Sequence, residues 1–321
     1  MAQPRAEILE WAEQGRIAPG ALCRALELAA VLPGAADWRR FLDRLMLFMG
    51  ATMLAAGVVF FFAYNWQDLG RLAKLGLAQL PIVAALVLVG RLGLERVAGK
   101  AALLAAALFV GALLALIGQV YQTGADTFEL FAAWAIAILP WVLLARFAAL
   151  WIVWLALANL AVMLYFQAFR GLLGLAFGPE RQLWVAFALN SAAAAIWEAC
   201  AALGVRWLRE RWAARLVATA SGGTVTALAV MAIVEWHASG GNLVAWLAWL
   251  GVAYAVYRHL VKDVYVLALG ALSVITVVAT FLGKRLSFND AGALLFTGLV
   301  VIALSAAAGY WLRRVAAAQD A

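Results

Sequence analysis

Charge is what this chain has least of. Only 13% of its 321 residues are Asp, Glu, Lys or Arg, against roughly 25% in an ordinary soluble domain. A soluble chain so poor in charge lacks the polar surface to cover its own core, so a large soluble fold is excluded. Histidine is scarce as well. His237 and His259 are the only two, and the two cysteines, Cys23 and Cys200, stand far apart. No CxxC, HxxxH or Glu-x-x-His spacing occurs, which removes the usual Cys/His metal sites; an all-oxygen site stays open. No cofactor is indicated, because the glycine patterns that let backbone amides approach phosphates, GxxxxGK[ST] and GxGxxG, are missing. The GxSxG nucleophile elbow is missing too. The opening MAQPRAEILEWAEQ has no basic stretch running straight into an apolar core, so it is not read as a signal peptide.

What the chain has instead is apolar length. Hydrophobic residues make up 67% and the mean hydropathy is +0.95. Apolar runs approach the roughly 20 residues that cross a bilayer as a helix. Ten segments are predicted, at about 45–64, 72–90, 101–120, 130–145, 148–168, 183–204, 214–234, 243–257, 264–282 and 291–311. The fourth and eighth are short and are expected to tilt little or be partly re-entrant. Only Arg146 and Phe147 separate the fourth from the fifth, which leaves one long broken helix as an alternative there.

The net charge is +7, and its distribution suggests an orientation. With the N-terminus cytosolic, 18 of the 24 basic residues fall on the cytosolic side, including the run Arg206, Arg209, Arg211 and Arg215. The outer loops hold Arg71, Lys74, Arg170, Arg181, Lys284 and Arg285. This positive-inside bias favours an N-in, C-in bundle of ten spans. Both cysteines then lie on or near the cytosolic side, and no disulfide framework is expected. Trp66, Trp184, Trp207, Trp236 and Trp311 fall near predicted span ends, where indole rings anchor at the headgroups.

Residues 1–44 are expected to form a small cytosolic helical hairpin, 45–314 the transmembrane bundle and 315–321 a cytosolic tail. Gly15 is suited to end a first helix carrying Ile8, Leu9 and Trp11, Pro19 to start a second, and Asp37 to cap the helix entering span one. Six arginines in this piece are matched by six carboxylates. It therefore presents no electrostatic footprint for phosphate, and nucleic acid is not expected as a partner. The run Leu47–Ala51 with Gly57 is similar to Leu108–Ala112 with Gly118; duplication and chance both fit. Gly50, Gly57, Gly111 and Gly118 are expected to let helices pack closely.

Polar residues inside an apolar bundle are costly and therefore informative. The densest group is the exit of span three: Gln119, Tyr121, Gln122, Thr123, Asp126 and Glu129 lie together with no Lys or Arg among them. Asn65, Trp66 and Asp68 at the span-one exit, and Glu235 and His237 at the span-seven exit, are placed on the same outer face. Together they could line an outward pocket of oxygen ligands and amide donors for a cation or polar solute. The alternative is a polar helix exit packed for structure, with Asp126 capping span four. Asp126 and Glu129, three apart, are the one carboxylate pair suited to acid/base work. Within the spans, Glu198 is either a proton or cation site or a side chain that reaches the interface or pairs with a nearby arginine. Asn159, Asn190 and Gln79 are explained by hydrogen bonds between helices.

The stretch Leu116–Trp141, LIGQVYQTGADTFELFAAWAIAILPW, is the most individual part of the chain. With EILEWAEQGRIAPG near the N-terminus and the span-one exit FFFAYNWQ, Phe60–Gln67, it resembles a bacterial family of predicted membrane proteins, domain of unknown function 2157. The likeness covers roughly the first half of the chain. The resemblance implies a multi-span fold and a bacterial inner-membrane location. It implies as partners, besides membrane lipids, another multi-span protein and a small envelope protein with a Gly-Asp-Tyr motif. It brings no activity and no catalytic residue.

Three functions stand at this point. The first is a transporter or channel for a small polar solute or cation, with Gln119, Tyr121, Gln122, Asp126, Glu129, Asn65 and Glu198 as ligand-binding residues. The second is a structural or signalling subunit of a membrane complex. The third is a membrane enzyme acting on lipid or envelope precursors.

Overall fold

A computed structural model describes residues 4–29, 31–64, 70–169, 178–235, 240–286 and 291–320. Asn65 and His237 lie outside the described residues, as do Trp66, Asp68 and Trp236. All regular elements among the described residues are helical. In chain order they are α1 (Pro4–Glu13), α2 (Leu22–Leu28), α3 (Ala35–Tyr64), α4 (Arg71–Leu92), α5 (Val97–Tyr121), α6 (Thr127–Leu144), α7 (Ala148–Ala168), α8 (Pro179–Ala202), α9 (Arg211–Val234), α10 (Gly241–Ala255), α11 (Val264–Leu286) and α12 (Ala291–Asp320). Ten of them, α3 to α12, are long and apolar enough to cross a membrane. The protein is an all-α, multi-span membrane protein.

The two segments expected to be short are not. The α6 helix has 18 residues, about 27 Å at 1.5 Å per residue, close to the roughly 30 Å hydrocarbon thickness. The α10 helix continues into a π-helical turn, Val256–Leu260, so the eighth candidate span covers Gly241–Leu260. Between α6 and α7 the backbone turns sharply at Arg146, whose φ is 46°. The two form separate helices packed side by side, and the broken-helix alternative falls away.

The chain divides into two compact units, with the boundary between Leu113 and Leu114, inside α5. In the first unit, Gly15 takes φ 71° after α1, and Pro19 opens a 3-10 turn before α2. Asp37 is not the N-cap of α3. It sits in the first turn and its Oδ2 accepts the Gly34 N–H at 3.1 Å, so it reaches back as the third residue of a capping box does. A small apolar cluster joins Ala55 of α3 to Ala105 and Phe109 of α5. Gly50 and Gly57 are not close-packing points, since a Cβ on either would meet nothing within 4 Å.

In the second unit α9 is the hub, packed against α8, α10 and α11. Its buried positions Ala213, Ala214, Val217, Ala218, Ser221, Gly222, Val225, Leu228 and Ala229 follow the three-to-four-residue repeat of one helix face. All but Leu228 are small. In lipid there is little hydrophobic gain from helix association, so close approach of small residues supplies the contact energy instead. Gly222 is the tightest point: a Cβ there would lie 2.8 Å from Cη2 of Trp249 on α10 and 3.1 Å from a Leu269 methyl on α11.

Candidate functional site

The polar groups of the second unit form interhelical clamps. Asn159 on α7 and Asn190 on α8 exchange amide hydrogen bonds: Asn159 Nδ2 donates to Asn190 Oδ1 at 3.1 Å, and Asn190 Nδ2 donates back at 2.7 Å. Each also donates to the carbonyl one turn earlier, Leu155 and Ala186, at 2.8 Å. Trp249 Nε1 donates to Ser221 Oγ at 2.9 Å, and that hydroxyl meets Ser191 Oγ at 2.8 Å. Trp246 Nε1 donates to Ser273 Oγ at 2.8 Å, which meets Thr226 Oγ1 at 2.6 Å. Trp184 Nε1 donates to Asn242 Oδ1 at 2.9 Å. In hydrocarbon a lone polar group is costly, and these groups bond one another across α7, α8, α9, α10 and α11. The pairing expected for Asn159 and Asn190 is present; Gln79, by contrast, is exposed on α4.

One end of this unit is closed by an ion network. Arg211, the first residue of α9, places Nη1 3.1 and 3.0 Å from the two carboxylate oxygens of Glu198 on α8. Its Nε donates to Asp263 Oδ2 at 2.9 Å. Arg215, one turn along α9, donates from Nε to the same carboxylate at 3.2 and 3.1 Å. Tyr257, on the π-helical turn, donates its hydroxyl to Glu198 Oε1 at 3.1 Å. Widened turns of this kind recur at functional sites. Here the turn brings a phenol from the α10 end to a carboxylate on α8. Asp263 also accepts the backbone N–H of Tyr265 at 3.0 Å, and its side chain is 2% exposed. Two carboxylates and two guanidiniums make the network neutral. Burial alone would raise the Asp263 carboxyl. The hydrogen bonds from Arg215 and Arg211, the Arg211 charge and the Tyr265 amide outweigh it, and the net effect holds Asp263 below its ordinary value.

Of the two readings of Glu198, pairing with an arginine is the one its geometry matches. The sequence did not single out Asp263, Tyr257 or the bonding role of Arg211 and Arg215. The two arginines were counted as topology charges. The useful signal was their spacing of four at the start of a span, which puts both on one helix face.

The sequence-predicted polar corner lies elsewhere. Gln119, Tyr121, Gln122, Asp126 and Glu129 share the α5–α6 turn and are all exposed. The turn is made by left-handed backbone at Gln122, φ 46°, and Gly124, φ 65°. Asp126 holds the N-cap position of α6, but its side chain makes no capping bond. Glu198 is not with them. Trp154 near the start of α7 bonds the Ala135 carbonyl of α6, and Ala148 packs with Trp197 of α8. The chain therefore runs up and down, and Glu198 sits an α6 length away from Glu129. None of the six described candidates lines any of five cavities of about 240 to 550 Å³. Among the described residues no three His, Cys, Asp or Glu side chains gather at one point.

No curated protein and no solved structure matches the chain. Residues 9–151, from α1 into the first turn of α7, match a family model described as "Predicted membrane protein (DUF2157)", the family that the motifs of the first half resemble.

Proposed function

We propose that the protein is a structural or signalling subunit of a membrane protein complex in the bacterial inner membrane, with its N- and C-termini in the cytosol. One observation carries this reading: the amide, hydroxyl and indole groups of Asn159, Asn190, Ser191, Ser221, Thr226, Trp246, Trp249 and Ser273 bond one another across α7–α11. Solute passage needs polar groups that face an aqueous path; cavities of about 550 and 450 Å³ are lined mainly by Ala, Leu and Trp, and one of about 420 Å³, with Glu235, Lys284 and Arg285 in its wall, is the place where a transport reading would look for such groups. The neutral hairpin of α1 and α2, packed together, and the partners implied by the family resemblance fit a protein that works by assembly. Extraction into lipid nanodiscs from its own membrane, followed by mass determination, tests this. A particle holding a stoichiometric second membrane protein besides the 34.3 kDa chain is expected. A lone chain that carries a cation or solute across liposomes, with flux lost in Glu129→Gln or Gln119→Ala, would overturn it. The exposed carboxylates of the α5–α6 turn are what would favour that second, transport reading.

A further inference from the structure

The start of α7, the end of α8 and the turn at 205–208 enclose a cavity of about 450 Å³, within the size range of small-molecule and cofactor sites. Its wall is almost entirely apolar and includes Trp151, Trp154, Ile196, Trp197, Cys200 and Trp207. Two of the four indoles have protein acceptors. Trp154 Nε1 bonds the Ala135 carbonyl and Trp197 Nε1 the Leu208 carbonyl, each at 3.1 Å. Trp151 does not: its Nε1–H is sealed from solvent without an acceptor among the described residues. That nitrogen is closed off from the cavity as well as from solvent, so the wall offers a ligand apolar contact alone.

Three arginines belong to the same corner. Arg206 and Arg209 flank Trp207 and Leu208, which line the cavity. Arg146 stands two residues before Ala148, which packs with Leu208 and Trp197. All three are exposed, and no salt bridge among the described residues neutralises them. The neighbouring carboxylates Glu198 and Asp263 are paired with Arg211 and Arg215; Glu210 accepts from the neutral Trp212 indole and keeps its charge, so the three arginines outnumber it. An apolar cavity and an excess of positive charge on the residues that flank its lining together describe the complement of one molecule class. That molecule has a hydrocarbon chain and an anionic phosphate.

We infer that this corner is a binding site for an anionic phospholipid. The acyl chain fills the Trp-lined cavity, and Arg146, Arg206 and Arg209 hold the phosphate. Basic residues at a membrane surface attract anionic headgroups in this way. The inference is independent of whether the protein assembles or transports.

Native mass spectrometry of the full chain, titrated with phosphatidylglycerol or phosphatidylcholine of equal chain length, tests it. Phosphatidylglycerol should be retained in preference, and Arg146→Gln/Arg206→Gln/Arg209→Gln should cut that preference by roughly tenfold or more, given the worth of each interfacial basic residue. Ala193→Phe, which fills the cavity from α8, should weaken both lipids while leaving the triple variant's charge effect unexplained by space. Inorganic phosphate alone should not displace the lipid. Equal retention of the two lipids by the unaltered chain would overturn the inference. So would a preference that survives the triple exchange, or full displacement by phosphate. The arginines are surface residues, so the triple variant keeps the test valid even if the cavity-filled chain does not fold.

Discussion

The Asn159–Asn190 clamp can be weighed by a double-mutant cycle. Each amide contributes one hydrogen bond to the other, and each uses its second N–H on its own helix. Interhelical hydrogen bonds in membranes are worth about 0.6 kcal/mol on average and about 1.7 at most. Two of them set a coupling of about 1 to 3 kcal/mol. Asn190 is 1% exposed, so water cannot replace a lost partner. Asn159→Ala strands the Asn190 carbonyl oxygen and one of its N–H groups, and Asn190→Ala does the converse. Each single exchange should therefore cost nearly as much as the double, about 1 to 3 kcal/mol, the penalty for an unsatisfied buried polar group. Equilibrium unfolding in bicelles for the four proteins gives the coupling directly. If the single costs add to the double within about 0.5 kcal/mol, as for independent sites, the two amides do not act as a pair and the account of α7–α8 packing is refuted.

Gly222→Ala should destabilise by about 1–3 kcal/mol, the usual cost of overpacking, because Trp249 must move and its bond to Ser221 goes with it. Gly223→Ala, where a Cβ meets nothing within 4 Å, should be neutral in the same melt. The Asp263 carboxyl is held below its ordinary value, so its contribution to stability is complete above a pH of about 4, the carboxyl value in an unfolded chain. That contribution is lost as pH falls through the lower folded value. Asp263→Asn should flatten this acid limb in melts from pH 7 to 3, and an unchanged limb would remove Asp263 as its source. Glu129→Gln and Gln119→Ala, at exposed positions, should shift stability by no more than about 0.5 kcal/mol; a larger loss would mean that the α5–α6 turn is packed for structure.

The spans were legible because their signal is local. Twenty apolar residues between charges mark a helix whatever surrounds it, and so all ten candidate spans have a predicted counterpart. The borders of the fourth and eighth were not, for two different reasons. Thr127, Phe128 and Glu129 extend α6 through a polar first turn, and the π-helical turn at Val256–Leu260 carries Arg258 and His259, which a hydropathy count excludes. Partners across helices were harder still. Trp184 stands near a span end and resembles an interface anchor, yet it bonds Asn242, 58 positions away. Asp263, beside Lys262 in a short loop, has no local mark of its link to Arg211. Asn159 and Asn190 could be chosen because an amide in hydrocarbon demands a partner. Nothing in the sequence says which one.

The positions of these features along the chain separate two kinds of question. The family match ends at residue 151, whereas the clamps from Asn159 to Ser273 and the ion network from Glu198 to Asp263 lie beyond it. The α7–α11 clamps hold the second unit together. Apolar side chains cannot do that alone, since lipid solvates them as well as neighbouring helices do. Small residues on α9 and polar pairs around it supply what burial supplies in water. Variants in the clamps should thus lower stability and leave the properties of the matched segment intact. Arg146 and Trp151 are the two exceptions, because they lie inside the match and also belong to the Trp-lined corner. Lipid bound there would connect the matched segment to the helices beyond it.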